Sequence, residues 1–91
     1  LIARLGGEEF VVILPGLAPE RANFIAERLR RRVEVMILAT NDGESLHVTV
    51  SIGVSQLRPD DDDGSLDQVL ERADEALYRA KANGRDRIEV L

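Results

Sequence analysis

Apolar positions recur along this chain with two periods, every second residue in some stretches and every third or fourth in others. Leu1, Ile2 and Leu5 precede Gly6-Gly7, and Phe10-Val11-Val12-Ile13-Leu14 follows it. Two glycines between β-rich runs predict a hairpin, because glycine reaches the positive φ of tight primed turns without steric cost. Pro15-Gly16 ends that unit. Pro19 suits a first helical turn and Glu20 its dipole. Ala22, Ile25, Ala26, Leu29, Val33 and Met36 then recur at helical spacing, predicting a helix to about residue 38. Its other faces carry Glu27, Arg28, Arg30, Arg31, Arg32 and Glu34, as a solvated surface does.

Asn41-Asp42-Gly43 marks a turn. From Leu46 to Val54 the alternation is clean: Leu46, Val48, Val50, Ile52 and Val54 on one side, His47, Thr49, Ser51 and Gly53 on the other. This predicts one long strand. Pro59 and Asp60 to Asp63 read as an exposed, mobile acidic loop closed by Gly64, and Ser65 with Gln68 reads as a capping box. A second helix is expected from about Leu66 to Ala82, burying Leu66, Val69, Leu70, Ala73, Leu77 and Ala80, and stopping at Asn83-Gly84. Arg87 to Leu91 alternates again and supplies a last strand. The order ββαβαβ predicts an α+β sandwich, with helices on one face of a mostly antiparallel sheet.

With 91 residues, 44% of them hydrophobic, the chain holds one core and one unit, residues 1–91. It starts without Met or a cleavable leader, so an internal piece of a longer protein is expected. Charges interrupt every apolar run, so no contact with a membrane is expected from this segment, and the absence of cysteine suits a cytoplasmic setting. A net charge of −5 and three aromatic residues argue against bulk nucleic acid as a partner. They leave room for a small phosphorylated ligand held by a metal and a few cations.

By spacing alone, Glu8 and Glu9 read as solvated glutamates at the tip of a turn. Successive strand residues point to opposite faces, so both carboxylates enter one site only if the turn distorts the strand. The alternative is a hard divalent ion taking carboxylate oxygens beside a bare glycine backbone that a ligand can approach. Lys81 and Arg85 read as ordinary cations favoured at a helix C-terminus. Arg28 and Arg30 read as solvated surface residues, and His47, alone on the polar face of a strand, reads as half-buried or hydrogen-bonded. The acidic run does not fit a calcium loop, since counting back from Gly64 puts Pro59 at the first ligand position and Leu70 at the last.

Gly6-Gly7-Glu8-Glu9-Phe10, preceded by Arg4, resembles the GG(D/E)EF signature of the GGDEF domains of diguanylate cyclases. Two further segments are similar to that family in order: Thr49 to Val54, and Ala73-Asp74-Glu75-Ala76-Leu77-Tyr78-Arg79-Ala80-Lys81-Ala82-Asn83-Gly84-Arg85. The resemblance implies a nucleotidyl-cyclase, palm-like (ferredoxin-like) fold, here lacking the family's first strand and helix, so that residues 1–91 would be a partial GGDEF domain. It implies a nucleotidyltransferase that condenses two GTP into cyclic di-GMP and pyrophosphate between two facing domains of a homodimer. Glu8 and Glu9 would bind Mg2+ or Mn2+ and serve catalysis, and Gly6, Gly7, Lys81 and Arg85 would bind the nucleotide. Phe10 would pack inward, Arg4 would be structural, and Arg28, or Arg30, would face inhibitory cyclic di-GMP. Asp86 stands where the family commonly has Asn, placing a carboxylate near the phosphates. The family's upstream metal aspartate, its guanine-reading Asn and Asp and its RxxD motif lie outside Leu1 to Leu91. The fragment alone is therefore expected to be inactive and to dimerise or exchange strands, from a parent that absent regions could anchor to a membrane. The alternative is a degenerate module that binds GTP or cyclic di-GMP as a regulatory or dimerising domain.

Overall fold

The computed structural model describes residues 2–7, 9–61 and 66–91. The elements run β1 (Ile2–Gly6), β2 (Glu9–Val12), α1 (Pro19–Glu34), β3 (Leu38–Ala39), β4 (Ser45–Leu46), β5 (Ile52–Val54), α2 (Asp67–Ala82) and β6 (Ile88–Val90). The proposed capping residue Ser65, the closing Gly64 and the loop residues Asp62 and Asp63 lie outside the described residues. The molecule measures 52 × 26 × 26 Å.

Among the described residues, three two-stranded ladders replace the single sheet. β1 pairs with β2 antiparallel, as expected of the hairpin; β3, a strand the sequence does not predict, pairs antiparallel with β4; and β5 pairs with β6 in parallel, Ile52 opposite Ile88 and Val54 opposite Val90. The difference has a simple cause. A strand followed by a whole helix returns to its start, so β5, α2 and β6 form a crossover unit with its strands side by side. The predicted strand over 46–54 is split for a related reason. Alternation specifies extended backbone, but a strand also needs a neighbour for its N–H and C=O groups. Residues 45–46 find one in β3 across the turn at Gly43, and residues 52–54 find one in β6.

That turn closes with the Thr40 N–H donating to the Glu44 carbonyl at 2.9 Å and Gly43 N–H to Thr40 at 3.1 Å. The Thr40 hydroxyl donates to the Asp42 carboxylate and holds its pKa below the usual range, helped by the Glu44 amide. The chain is drawn into this hairpin after Glu34, so α1 stops short of the predicted residue 38.

The core lies between α2 and the β5–β6 ladder. Ala76 and Ala80 are fully buried there, and Ala26 is the buried residue of α1. Both helices approach β5 and β6, yet among the described residues their backbones do not come together. Gly53 explains how α2 gets so close. A Cβ at that position would clash with the Ala73 carbonyl oxygen and the Leu77 amide nitrogen, and would lie 2.9 Å from Leu77 Cα. The helix thus lies on bare strand backbone, and its innermost residues are alanines. The expected stripe is corrected accordingly: Ala76, outside it, is as fully buried as Ala80, while Leu66, ahead of α2, is 49% exposed. Leu29 on α1 and Met36 beyond its end are also exposed.

Side-chain bonds tie the β5–α2 connection down. The Ser55 hydroxyl donates to the Val69 carbonyl at 2.6 Å. Arg72 grips Asp61 with two parallel bonds, at 2.8 and 2.6 Å, and donates to the Gln56 carbonyl at 2.8 Å. Asp61 also accepts from the Arg58 amide at 2.7 Å, and only 4% of its side chain is exposed. The loop expected to be mobile and solvated is therefore anchored at Asp61. The Arg72 guanidinium, then the Arg58 amide, lower the Asp61 pKa from 3.8 to about 2.

Two predictions follow from this packing. Gly53→Ala forces backbone against backbone and should destabilise the chain by about 3 kcal/mol, read from the urea midpoint. The Asp61 carboxyl titrates lower folded than unfolded, so its contribution is present above about pH 4 and lost as the pH falls towards 2. Asp61→Asn should flatten that part of the stability profile; an unchanged acid limb would exclude the clamp as its source.

Candidate functional site

The β1–β2 hairpin carries the glycine turn. Ile2, Ala3 and Arg4 pair with Val12, Val11 and Phe10, then the register shifts so that Gly6 faces Glu9. This bulge is the distortion that a carboxylate needs to be re-aimed at the end of a strand. Gly6 and Gly7 hold φ of +150° and +28°, and a Cβ on either would meet nothing within 4 Å. The glycines are thus required by backbone conformation, and the space above them is open to a ligand. Arg4 fastens the tip: its Nε and Nη2 donate to the Gly7 carbonyl at 3.1 and 2.6 Å. This is a structural part, as expected of Arg4.

Phe10 departs from expectation. It is 65% exposed, with Ile2 and Leu5 exposed beside it, because the hairpin backbone contacts no other element among the described residues. It packs inward on nothing described.

Glu9 lies beside the end of α2, its Oε1 3.9 Å from Lys81 Nζ, with 45% of the Glu9 side chain and 33% of Lys81 exposed. That separation is a loose ion pair, which leaves both groups free to take other partners. Glu8 lies outside the described residues. Among the described residues no three acidic or histidine side chains gather as a metal cage. Among the described residues of the hairpin, Glu9 supplies the carboxylate.

The end of α2 is built by its backbone. The Arg85 N–H donates to the Ala80 carbonyl at 2.9 Å and the Gly84 N–H to Lys81 at 3.4 Å, the paired bonds of a Schellman cap with Gly84 at φ +117°. Lys81 sits in the last turn and Arg85 just beyond it, at the negative end of the helix dipole. Arg85 is exposed, and among the described residues its side chain makes no hydrogen bond or ion pair. Arg28, on α1, is likewise exposed and unengaged among the described residues, and no contact joins it to the hairpin.

Arg30 differs from Arg28. With 13% of its side chain exposed, it donates to Glu27, to Glu34 and, across 56 positions of sequence, to Asp86 at 2.7 Å. Arg30, then Arg31, lower the Glu27 pKa from 4.5 to about 2. The spacing of Glu27, Arg30 and Glu34 is a helical pair pattern legible in the sequence; the link to Asp86 has no sequence signal. The carboxylate expected to disturb the phosphate region is therefore already paired. His47 is exposed, with no hydrogen bond among the described residues.

Two hollows flank these residues. One of about 240 Å³ is lined by Leu5, Gly6, Gly7 and Glu9. The other, about 570 Å³, runs along the outer face of α2 beside Glu71, Asp74, Glu75 and Tyr78. The larger is lined by Arg72 as well as by Glu71, Asp74 and Glu75; the smaller has open glycine backbone, and Lys81 Nζ lies 3.9 Å from its lining residue Glu9.

This arrangement defines a small α+β domain with an open glycine hairpin set against a cation-bearing helix end. Residues 1–87 match the family model "Diguanylate cyclase, GGDEF domain", and the chain belongs to the GGDEF family. Diguanylate cyclase A of Treponema denticola is 45% identical over 88 residues, 97% of this chain and 23% of that protein. The response regulator PleD of Caulobacter vibrioides is 46% identical over 89 residues, 97% of this chain and 19% of its own length. The GGDEF domain of DgcB from Caulobacter crescentus, solved with c-di-GMP, superposes with a TM-score of 0.89 at 36% identity, covering 98% of this chain and 52% of that one. Diguanylate cyclase SiaD of Pseudomonas aeruginosa, solved with its activator SiaC, gives 0.89 at 36% identity, covering 100% and 34%. The chain thus spans about a quarter or less of the curated relatives it matches, and the palm-like α+β fold expected from the sequence is the one it has.

The open space over the turn makes Gly7 a direct test. Gly7→Ala should cost the hairpin about 1 kcal/mol through its backbone conformation alone, with no clash. A loss above about 3 kcal/mol in denaturant unfolding would mean that the turn is packed rather than open.

Proposed function

We propose that this chain is the signature-bearing part of a diguanylate cyclase, a partial domain that takes GTP phosphates at the gap between the glycine hairpin and the end of α2. The observation that carries the reading is Glu9 at 3.9 Å from Lys81 beside an unshielded glycine backbone. A Mg2+ or Mn2+ ion, when bound, neutralises phosphate charge as the leaving group departs. Glu8 and Glu9 would give it carboxylate oxygens, and Glu8 would also assist removal of the 3′-hydroxyl proton. Lys81 would exchange its loose contact with Glu9 for a phosphate oxygen, and Arg85 would add a forked donor.

Two such domains, each holding GTP, would face one another. The 3′-oxygen of one nucleotide bonds to the α-phosphorus of the other, the bond to the β-phosphate oxygen breaks and pyrophosphate leaves; the reciprocal step closes the ring of cyclic di-GMP. Positioning and charge neutralisation do most of the work in such transfers. Because GTP is the substrate, a cytoplasmic site of action is part of the proposal. The unengaged Arg28 favours a further role, contact with cyclic di-GMP as an inhibitory ligand.

The test is incubation with GTP and Mg2+, with nucleotides separated by chromatography. The 91-residue chain should yield little or no cyclic di-GMP, since the partial site lacks the residues that read guanine; substantial product would overturn that. Lys81→Ala and Arg85→Ala should each weaken Mg2+–GTP binding about tenfold, roughly one charge-assisted bond. Unchanged binding in both would leave a regulatory or dimerising module that does not hold GTP here.

A further inference from the structure

Arg30 and Asp86 stand outside the cluster just described, yet they join α1 to the turn that carries Arg85. Arg30 Nη1 donates to Asp86 Oδ1 at 2.7 Å and to Glu34 Oε2 at 3.0 Å, while Nη2 donates to Glu27 Oε1 at 2.6 Å. Glu27, then Asp86 and Glu34, raise the guanidinium pKa above its ordinary range, and only 13% of the side chain is exposed. The turn itself is demanding. Gly84, Arg85 and Asp86 have φ of +117°, +62° and +47° in succession. Two neighbouring residues with side chains in the left-handed region hold that shape only where their surroundings over-determine it. The Arg85 N–H bond to Ala80 fixes one side of the turn, and Arg30 fixes the other through Asp86.

We propose that Arg30 is a positioning residue for phosphate binding: by pairing with Asp86 it locks the turn that presents Arg85 and cancels a carboxylate that would otherwise repel a polyphosphate there. The proposal rests on the reading of Lys81 and Arg85 as phosphate contacts. Arg30 touches no phosphate in this scheme. It acts through the shape and charge of residues 84–86.

The lock is tested without ligand by amide hydrogen exchange on the 91-residue chain. Arg30→Met should speed exchange at the Arg85 amide about tenfold relative to amides in the middle of α2, because the opening is local. Equal acceleration throughout would make Arg30 a general stabiliser and overturn the proposal. The charge role is tested by titrating inorganic tripolyphosphate with Mg2+ and following amide shifts. One uncompensated charge at roughly 10 Å from a highly charged anion should weaken binding about threefold to tenfold in Arg30→Met. Asp86→Asn in that background removes the repulsion, and Asn tolerates the left-handed region, so binding should return to within about twofold of the wild type. Arg30→Lys keeps the charge without the fork and should bind within about twofold while still loosening the Arg85 amide. A double variant as weak as Arg30→Met, or Arg30→Met binding like the wild type, overturns the proposal. Arg85→Ala indistinguishable from wild type in the same titration would instead remove the phosphate reading, and the exchange experiment would still decide the lock.

Discussion

The contact on which the rest of this structure depends is the seating of α2 on the bare backbone of β5 at Gly53. Apolar burial here is modest: the buried residues described are alanines, and large side chains such as Ile2, Phe10 and Val35 remain exposed. Close approach compensates in part, since dispersion grows with the number of atoms brought to contact distance. Gly53 permits that approach, and Ala76 and Ala80 maintain it along the helix. The position of α2 in turn sets the direction of β6 and the place where Lys81 and Arg85 emerge.

Ion pairs then fix what the thin core leaves loose. Arg72 with Asp61 holds the incoming connection of α2, and Arg30 with Asp86 holds the outgoing one. Both arginines are largely shielded, so their pairs escape much of the screening that makes exposed pairs nearly worthless. Beside Arg85 the Asp86 carboxylate is taken up by Arg30, while Lys81 keeps only a loose contact with Glu9.

The sequence displayed the repeating features and concealed the pairings. Helical spacing located both helices, and Gly-Gly located the hairpin, because these are local consequences of backbone geometry. The alternation over 46–54 could not reveal that its two ends would pair with different partners. Nor could it reveal that Gly53, on the supposed polar side, would be the residue against which α2 lies. Ala76 escaped the predicted stripe because a small side chain gives a weak hydrophobic signal while fitting the closest contact. Phe10 departs in the opposite direction: the family resemblance implied that it packs inward, and it is 65% exposed. Within the site, the signature residues were legible as a string, whereas the service of Arg30 to Asp86 depends on a contact between distant segments.

The parallel pairing of β5 with β6 carries a kinetic meaning. The ladder joins Ile52 to Ile88 with a whole helix in the loop between them, whereas β1 and β2 adjoin a single turn. Loop-closure entropy has to be met before such a non-local, parallel pairing gains its contacts, so it is intrinsically slower to form than a hairpin. The helix end bearing Lys81 and Arg85 is thus held in place by the least local ladder of the fold described.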